Sequence, residues 1–259
     1  MCRVDVASSG AVLLGTAVVC DGFQRDRAVR VQTHVHDDHM RDFERSKGFQ
    51  NLYMSEATRS LLIAEFNADL EYRDNIIAVN HGSTFDCEGG RLTLLSSGHM
   101  LGAVQVALEM PDGRRIGYSG DFHWPVDDVI RVDELVVDST YGSEGSIREY
   151  SQEQAEICFL QQVHEKLSLG SVHIRAHRGT VQRALQILSG EIGVPIIASA
   201  RPHHRAVLTA HRQHPVEGAL HGGPQMIHEG PIPGAQPVVP HAGGDVRARP
   251  QSVDPHRGR

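Results

Sequence analysis

Up to about Ser199 the hydrophobic positions fall in short runs separated by Gly, Asp and Pro, a pattern of strands alternating with helices. Val12 to Val19 predicts a first strand, broken by Gly15. Ala28 to Thr33 (AVRVQT) predicts a second, with β-branched residues at alternate positions. Ser55 reads as the N-cap of a helix reaching about Leu70, with Leu61, Leu62, Ile63, Phe66 and Leu70 as its apolar stripe. Ile76 to Val79, Arg91 to Leu95, Val104 to Glu109, Arg114 to Tyr118 and Glu134 to Val137 then read as strands. Most are parted by turns such as Pro111-Asp112-Gly113. This alternation predicts an α/β sandwich rather than a helical bundle.

A further helix is expected from Ile147 to about Leu167. Strand Ser171 to Ile174, helix Thr180 to Ser189 and strand Pro195 to Ser199 follow as one βαβ unit. After about Arg201 the periodicity stops, and Pro231, Pro233, Pro237, Pro240, Gly243 and Gly244 crowd among histidines and arginines. Such a composition buries too little apolar surface to offset its ordering entropy. The expected organisation is therefore 1–145 as a first domain, 146–200 as the start of a second, and 201–259 as a disordered or aberrant tail.

Composition narrows the class. Hydrophobic residues are 40% of the chain, and the longest apolar run, Ala11 to Cys20, is about half of the ~20 residues a bilayer span needs. It reads as a buried strand, and no signal peptide is recognised. A net charge of −7 argues against wholesale attraction to nucleic acid or an anionic membrane, though not against a local basic patch. Cys2, Cys20, Cys87 and Cys158 are far apart, with no C-x-x-C pair. This argues against a disulfide framework or a cysteine zinc knuckle and suits a reducing cytosol.

The chemistry concentrates in Thr33-His34-Val35-His36-Asp37-Asp38-His39, an H-x-H-x-D-H arrangement directly after a predicted strand. At an extended strand end His34 and His36 point the same way and can reach one ion. The chain must then turn, bringing Asp38 and His39 to a second. His99 and Asp121 stand at the ends of two later strands, beside the small residues Gly98 and Gly120 that permit close backbone approach. An aspartate with two oxygens can bridge two ions. A lone histidine at a strand end is ordinarily structural; this many ligand types at successive strand ends points to metal. Imidazole and carboxylate suit zinc, while manganese and iron also accept such a set.

These residues resemble the metallo-β-lactamase superfamily, in which the H-x-H-x-D-H loop, a later His and a later Asp bind two zinc ions. Ser97-Gly98-His99-Met100-Leu101-Gly102-Ala103 is similar to the G-H-x-x-G-S/A pattern of its β-CASP nuclease branch, and Val137-Asp138-Ser139-Thr140-Tyr141-Gly142 to that branch's acidic S-T-Y-G motif. Gly170 to Gln182 resembles the start of the inserted β-CASP domain. The resemblance spans roughly residues 10 to 200 and implies a metallo-β-lactamase αββα sandwich followed by a partial βαβ, β-CASP-like segment. Two distal family motifs have no clear counterpart. Ala219-Leu220-His221-Gly222 is a faint echo of one, with His203 or His204 standing in for the other, and the expectation is a truncated or frameshifted end.

The resemblance implies a hydrolase, foremost an RNA-cleaving phosphodiesterase working through a hydroxide held between two zinc ions. It gives His34, His36 and His99 to one ion, Asp38 and His39 to the other, and Asp121 to both. Asp38 would also orient the hydroxide, and Asp138 would hold a histidine by hydrogen bond and fix its tautomer. No other cofactor is expected. The expected partner is RNA in the cytoplasm, with no membrane and with homo-oligomers allowed. Lys166, Arg175, His177, Arg178 and Arg183 are candidate phosphate contacts, and His123-Trp124 and Tyr141-Gly142 candidate stacking surfaces. Two alternatives stay open: a hydrolase of a small thioester, lactone or β-lactam, and an inactive RNA-processing partner.

Overall fold

The computed structural model describes residues 3–66, 68–198 and 206–210. Strands β1 (Val4–Val6), β2 (Val12–Leu14), β3 (Val18–Cys20), β4 (Val29–Val31), β5 (Asn51–Ser55) and β6 (Ile76–Val79) form one sheet in chain order. The first three pair antiparallel; β3 to β6 are parallel. Helices α1 (Phe43–Phe49) and α2 (Glu56–Phe66) make the crossovers that parallel pairing requires. A second sheet, in the order β11-β10-β9-β8-β7, contains β7 (Thr84–Cys87), β8 (Gly90–Ser96), β9 (Val104–Glu109), β10 (Arg115–Tyr118) and β11 (Glu134–Val136).

The two sheets face each other across one core. Val12, Leu14, Val18, Val29, Val31 and Tyr53 of the first sheet meet Leu92, Leu94, Val104, Val106, Leu108 and Ile116 of the second. Phe43, Leu62, Leu52, Met54 and Leu70 form a second core where α1 and α2 cover the outer face of the first sheet. Ser55 accepts from the Thr58 amide at 3.1 Å, so the helix starts where its N-cap residue predicts. It stops at Phe66, and Leu70 reaches the same core from beyond the helix end. The single strand expected over Val12 to Val19 is instead a hairpin. The chain reverses at Gly15 and Leu14 pairs with Val18.

Helix α3 (Gln152–Leu169) begins five residues later than its apolar pattern suggests. The Ser151 hydroxyl accepts from the Gln154 amide at 3.1 Å, and the Gln154 side chain accepts from the Ser151 amide at 2.8 Å. The following strands β12 (Val172–Ala176), β13 (Ile196–Ala198) and β14 (Ala206–Ala210) form a third sheet, with α4 (Thr180–Glu191) packed on it through Val181, Ala184 and Leu188. The order β12-β14-β13 departs from a simple βαβ unit, because β14 lies between the two expected strands and pairs antiparallel with both. β14 falls in the stretch from 201 where no element is expected; 211–259 lie outside the described residues. Among the described residues, no helix is long and apolar enough to cross a membrane.

Candidate metal centre

Three neighbouring strand ends converge at one rim of the sandwich. The chain leaves β4 into Gln32, Thr33 and His34, leaves β8 toward His99, and leaves β10 toward Asp121. The sheets are tied there by the Val104 amide, which donates to the Thr33 carbonyl at 3.1 Å. Gly120 carries a φ of 55°, and a Cβ on it would stand 2.5 Å from the Val104 carbonyl oxygen. Only glycine lets the Asp121 loop close onto that carbonyl.

His34, His36, His99 and Asp121 each present an atom to a common point, all within 4.8 Å of one another. Nε2 of His34 and Nε2 of His99 lie 3.0 and 3.1 Å from Nδ1 of His36. Asp121 turns Oδ2 toward His34 Nε2 at 3.8 Å and His99 Nε2 at 3.5 Å. Its other oxygen, Oδ1, lies 3.2 Å from His39 Nε2, and Asp38 Oδ2 stands 3.7 Å from the same nitrogen. Thus the ligand residues expected from the sequence are brought together, with Asp121 between two groups. Asp38 sits at the open side, its side chain 81% exposed.

The tautomers follow from what the outward-facing nitrogens meet. His39 donates from Nδ1 to Asp21 Oδ2 at 2.7 Å, which leaves Nε2 facing inward. Thr33 donates its hydroxyl to the same Oδ2 at 2.6 Å, so its oxygen accepts from His34 Nδ1 at 3.0 Å and the lone pair of His34 also faces inward. Burial, then the neighbouring imidazoles His39 and His36, push the pKa of His34 down to about 2. Burial lowers His36 and His99 too. Three neutral imidazoles therefore crowd ring nitrogens within hydrogen-bonding distance of one another, a donor set that suits a divalent cation. Donor types and spacing fit such an ion.

The other side of Asp121 is electrostatically different. Burial disfavours a charged His39, but hydrogen bonds to Asp121 and Asp21 outweigh it and hold the ring up at about 11. Asp121, despite its burial, is brought down to about 2 by the hydrogen bond from His39 and by the surrounding imidazoles. If His39 and Asp121 were to hold a metal there, His39 would have to give up the proton it shares with Asp121.

Beneath the loop lies a polar support that the sequence reading missed. Arg30 and Gln32, both fully buried, alternate with Val29 and Val31 and so face away from the inter-sheet core. Arg30 donates to the Arg41 and His39 carbonyls at 3.0 Å each and to Gln32 Oε1 at 2.6 Å. Gln32 in turn donates to the His34 carbonyl at 2.6 Å and the His39 carbonyl at 3.1 Å. Asp21 completes this support, also accepting from the Thr33 amide at 2.8 Å. Its position just past β3 is the signal that could have found it, since the other acidic group of the centre also follows a strand end.

Asp138 takes a different place from the one expected. Its carboxylate accepts from the Thr140 amide at 3.1 Å and hydroxyl at 2.7 Å, and its amide donates to Ser119 Oγ at 2.8 Å. It bonds to no histidine among the described residues, though its charge reaches His99. Its carboxylate instead shapes the turn into Tyr141. His203, His204 and Ala219 to Gly222 lie outside the described residues.

No family model matches the chain. It is 30% identical over 128 residues to an uncharacterised protein of Acidianus ambivalens encoded in the lig 3′ region, a match covering 48% of this chain and 91% of that one. The chain belongs to one family with that protein. It is also 30% identical over 164 residues to transcription termination factor FttA of Thermococcus kodakarensis, covering 57% of this chain but only a quarter of the factor's length. Among solved structures, it is similar to a subclass B3 metallo-β-lactamase of Bradyrhizobium japonicum (15% identity, TM-score 0.36, 64% of this chain and 88% of that one).

Around the centre the candidate substrate contacts divide. Arg178 and Arg183 are engaged, the first with Glu65 at 2.8 Å and the second with Glu156 at 2.7 Å. Lys166, Arg175 and His177 are exposed. Trp124 and Tyr141, three residues beyond Asp121 and Asp138, are each 73% exposed, so neither is a core aromatic.

Proposed function

We propose that the chain is a metal-dependent phosphodiesterase of the β-CASP type that cuts RNA. The observation carrying this reading is Asp121, whose two oxygens face two separate sets of ligand atoms. His34, His36, His99 and Asp121 would hold one divalent ion, and Asp38, His39 and Asp121 the other, with zinc favoured by the nitrogen-rich set. When bound, such ions supply Lewis acidity that activates water near neutral pH and offsets the charge of a phosphodiester.

The chain's own residues do the rest. Asp21 and Thr33 fix which ring nitrogens of His34 and His39 face inward, so the site is ordered before anything binds. Asp38, exposed at the mouth, would orient the attacking water. Trp124 and Tyr141 offer flat apolar faces on which unpaired bases can stack. The β-CASP branch, and with it RNA over a small ester or lactam, is supported by the likeness of 97–103 and 137–142 to that branch's motifs and by the match to a transcription termination factor.

The test is cleavage of end-labelled single-stranded RNA by the purified chain, with and without zinc, beside His36→Ala. Single-stranded DNA, a chromogenic β-lactam and a thioester are run in parallel. Zinc-dependent RNA cutting that His36→Ala abolishes supports the reading. Turnover of the lactam or thioester with intact RNA would replace it by the small-substrate alternative.

A further inference from the structure

The metal loop is also gripped from outside the sandwich, by the link between β12 and α4. Arg178 in that link donates to the Val35 carbonyl, between His34 and His36, at 3.0 Å. The same guanidinium lies 3.6 Å from Asp37 Oδ1, pairs through Nε with Glu65 Oε2 of α2 at 2.8 Å, and stands 4.7 Å from the Phe66 ring centroid. Its side chain is only 10% exposed. The next contact is closer to the centre: the His36 ring hydrogen-bonds the Arg178 backbone. Because Nδ1 of His36 faces His34 and His99, the outward nitrogen Nε2 makes this bond, donating to the Arg178 carbonyl.

Gly179 extends the grip to the second ligand loop. It has a φ of 78°, and a Cβ there would meet Met100 Cβ at 3.2 Å and the His99 carbonyl at 3.8 Å. Gln182 holds the Gly179 amide in turn and opens α4. One short link thus rests on the loops of His36 and His99 together.

We infer that Arg178 is a positioning residue of the metal centre, through which the β12–β14 unit sets the orientation and tautomer of His36. The inference rests on the metal reading above and adds that this unit is part of the centre. A planar guanidinium can serve Val35, Asp37 and Glu65 while lying on Phe66; a lysine ammonium, a point charge on a flexible stem, cannot do all four. Outer partners of metal-binding histidines are typically worth about 10-fold to 100-fold in metal affinity.

The experiment measures zinc dissociation constants by competition with a chromophoric chelator, for the full chain and for Arg178→Met and Arg178→Lys, with the urea midpoint of each metal-free protein. Arg178→Met is expected to bind zinc about 10-fold to 100-fold more weakly. Arg178→Lys should recover part of the loss yet shift the visible bands of the cobalt-loaded chain. Wild-type affinity in folded Arg178→Met overturns the inference. Should Arg178→Met fail to fold, Glu65→Gln decides: it loosens the same guanidinium from a helix that carries no ligand. Weaker zinc binding by folded Glu65→Gln supports the inference, and unchanged binding overturns it. A wild-type chain that takes up no zinc overturns the metal reading itself, a separate result.

Discussion

The two halves of the centre, divided by Asp121, are built differently. On the Oδ2 side stand three imidazoles with lowered pKa values, one of them wholly buried. On the Oδ1 side stand His39, clamped between two carboxylates, and Asp38, open to solvent. The first half is closed and already deprotonated, so an ion can enter without displacing a proton. The second would have to surrender one, and under the proposed function its exposed carboxylate would face the substrate. The difference teaches that a bridging residue can join a holding position to a working one.

Removing the bridge should have the largest effect. Asp121→Ala strips both halves of a shared ligand and should lower RNA cleavage by more than about 100-fold, beyond what an outer partner is worth. Zinc content measured alongside should fall in both positions. A smaller and unequal loss of zinc is expected from the two sides taken singly. His36→Ala should empty the closed half, whereas Asp38→Ala should leave it loaded while abolishing turnover. Elemental analysis that finds the two variants alike would erase the distinction drawn here.

Asp21→Asn comes next, because this carboxylate orients a histidine in each half. It should weaken zinc about 10-fold to 100-fold. It should also change how the metal-free chain responds to pH. His39, held at about 11 against an ordinary 6.5, contributes stability that is whole below pH 6.5 and is lost as pH rises through 11. Asp121, held at about 2 against 3.8, contributes above pH 3.8 and loses it as pH falls through 2. His34, His36 and His99, lowered by burial, work the other way from His39 and lose stability as pH falls below 6.5, so urea midpoints of the metal-free wild type should peak near pH 6.5. Asp21→Asn should flatten the alkaline fall. The smallest effect is reserved for a residue outside both halves. Trp124→Ala should leave zinc binding unchanged and cost about 1–3 kcal/mol of RNA affinity, read from filter binding with zinc omitted.

The proposed ligands were legible because the chain concentrates them. His34, His36, Asp38 and His39 lie within one turn of chain after a strand, and His99 and Asp121 follow strands beside glycine. Strands with clear alternation or unbroken apolar runs, such as Ile76 to Val79 and Val104 to Glu109, were equally readable. What escaped is what depends on tertiary neighbours. Arg30 and Gln32 alternate with valines as solvent-facing residues would, yet α1 and the loop cover that face. β7 is short and half-polar (TFDC), and α1 contains only Phe43 and Phe49 as large apolar residues, so neither leaves a periodic trace. Arg178 acts across 143 positions of sequence, and nothing in its own neighbourhood names Val35 as its partner.

The account's central claim is a centre of two unequal halves joined by Asp121, and a calorimetric zinc titration of the metal-free chain tests it most directly. The predicted result is two binding steps, the tighter releasing no proton and the weaker releasing about one proton near neutral pH, read from the buffer dependence of the heat. A chain that binds no zinc, or binds it in two indistinguishable steps, would contradict the claim.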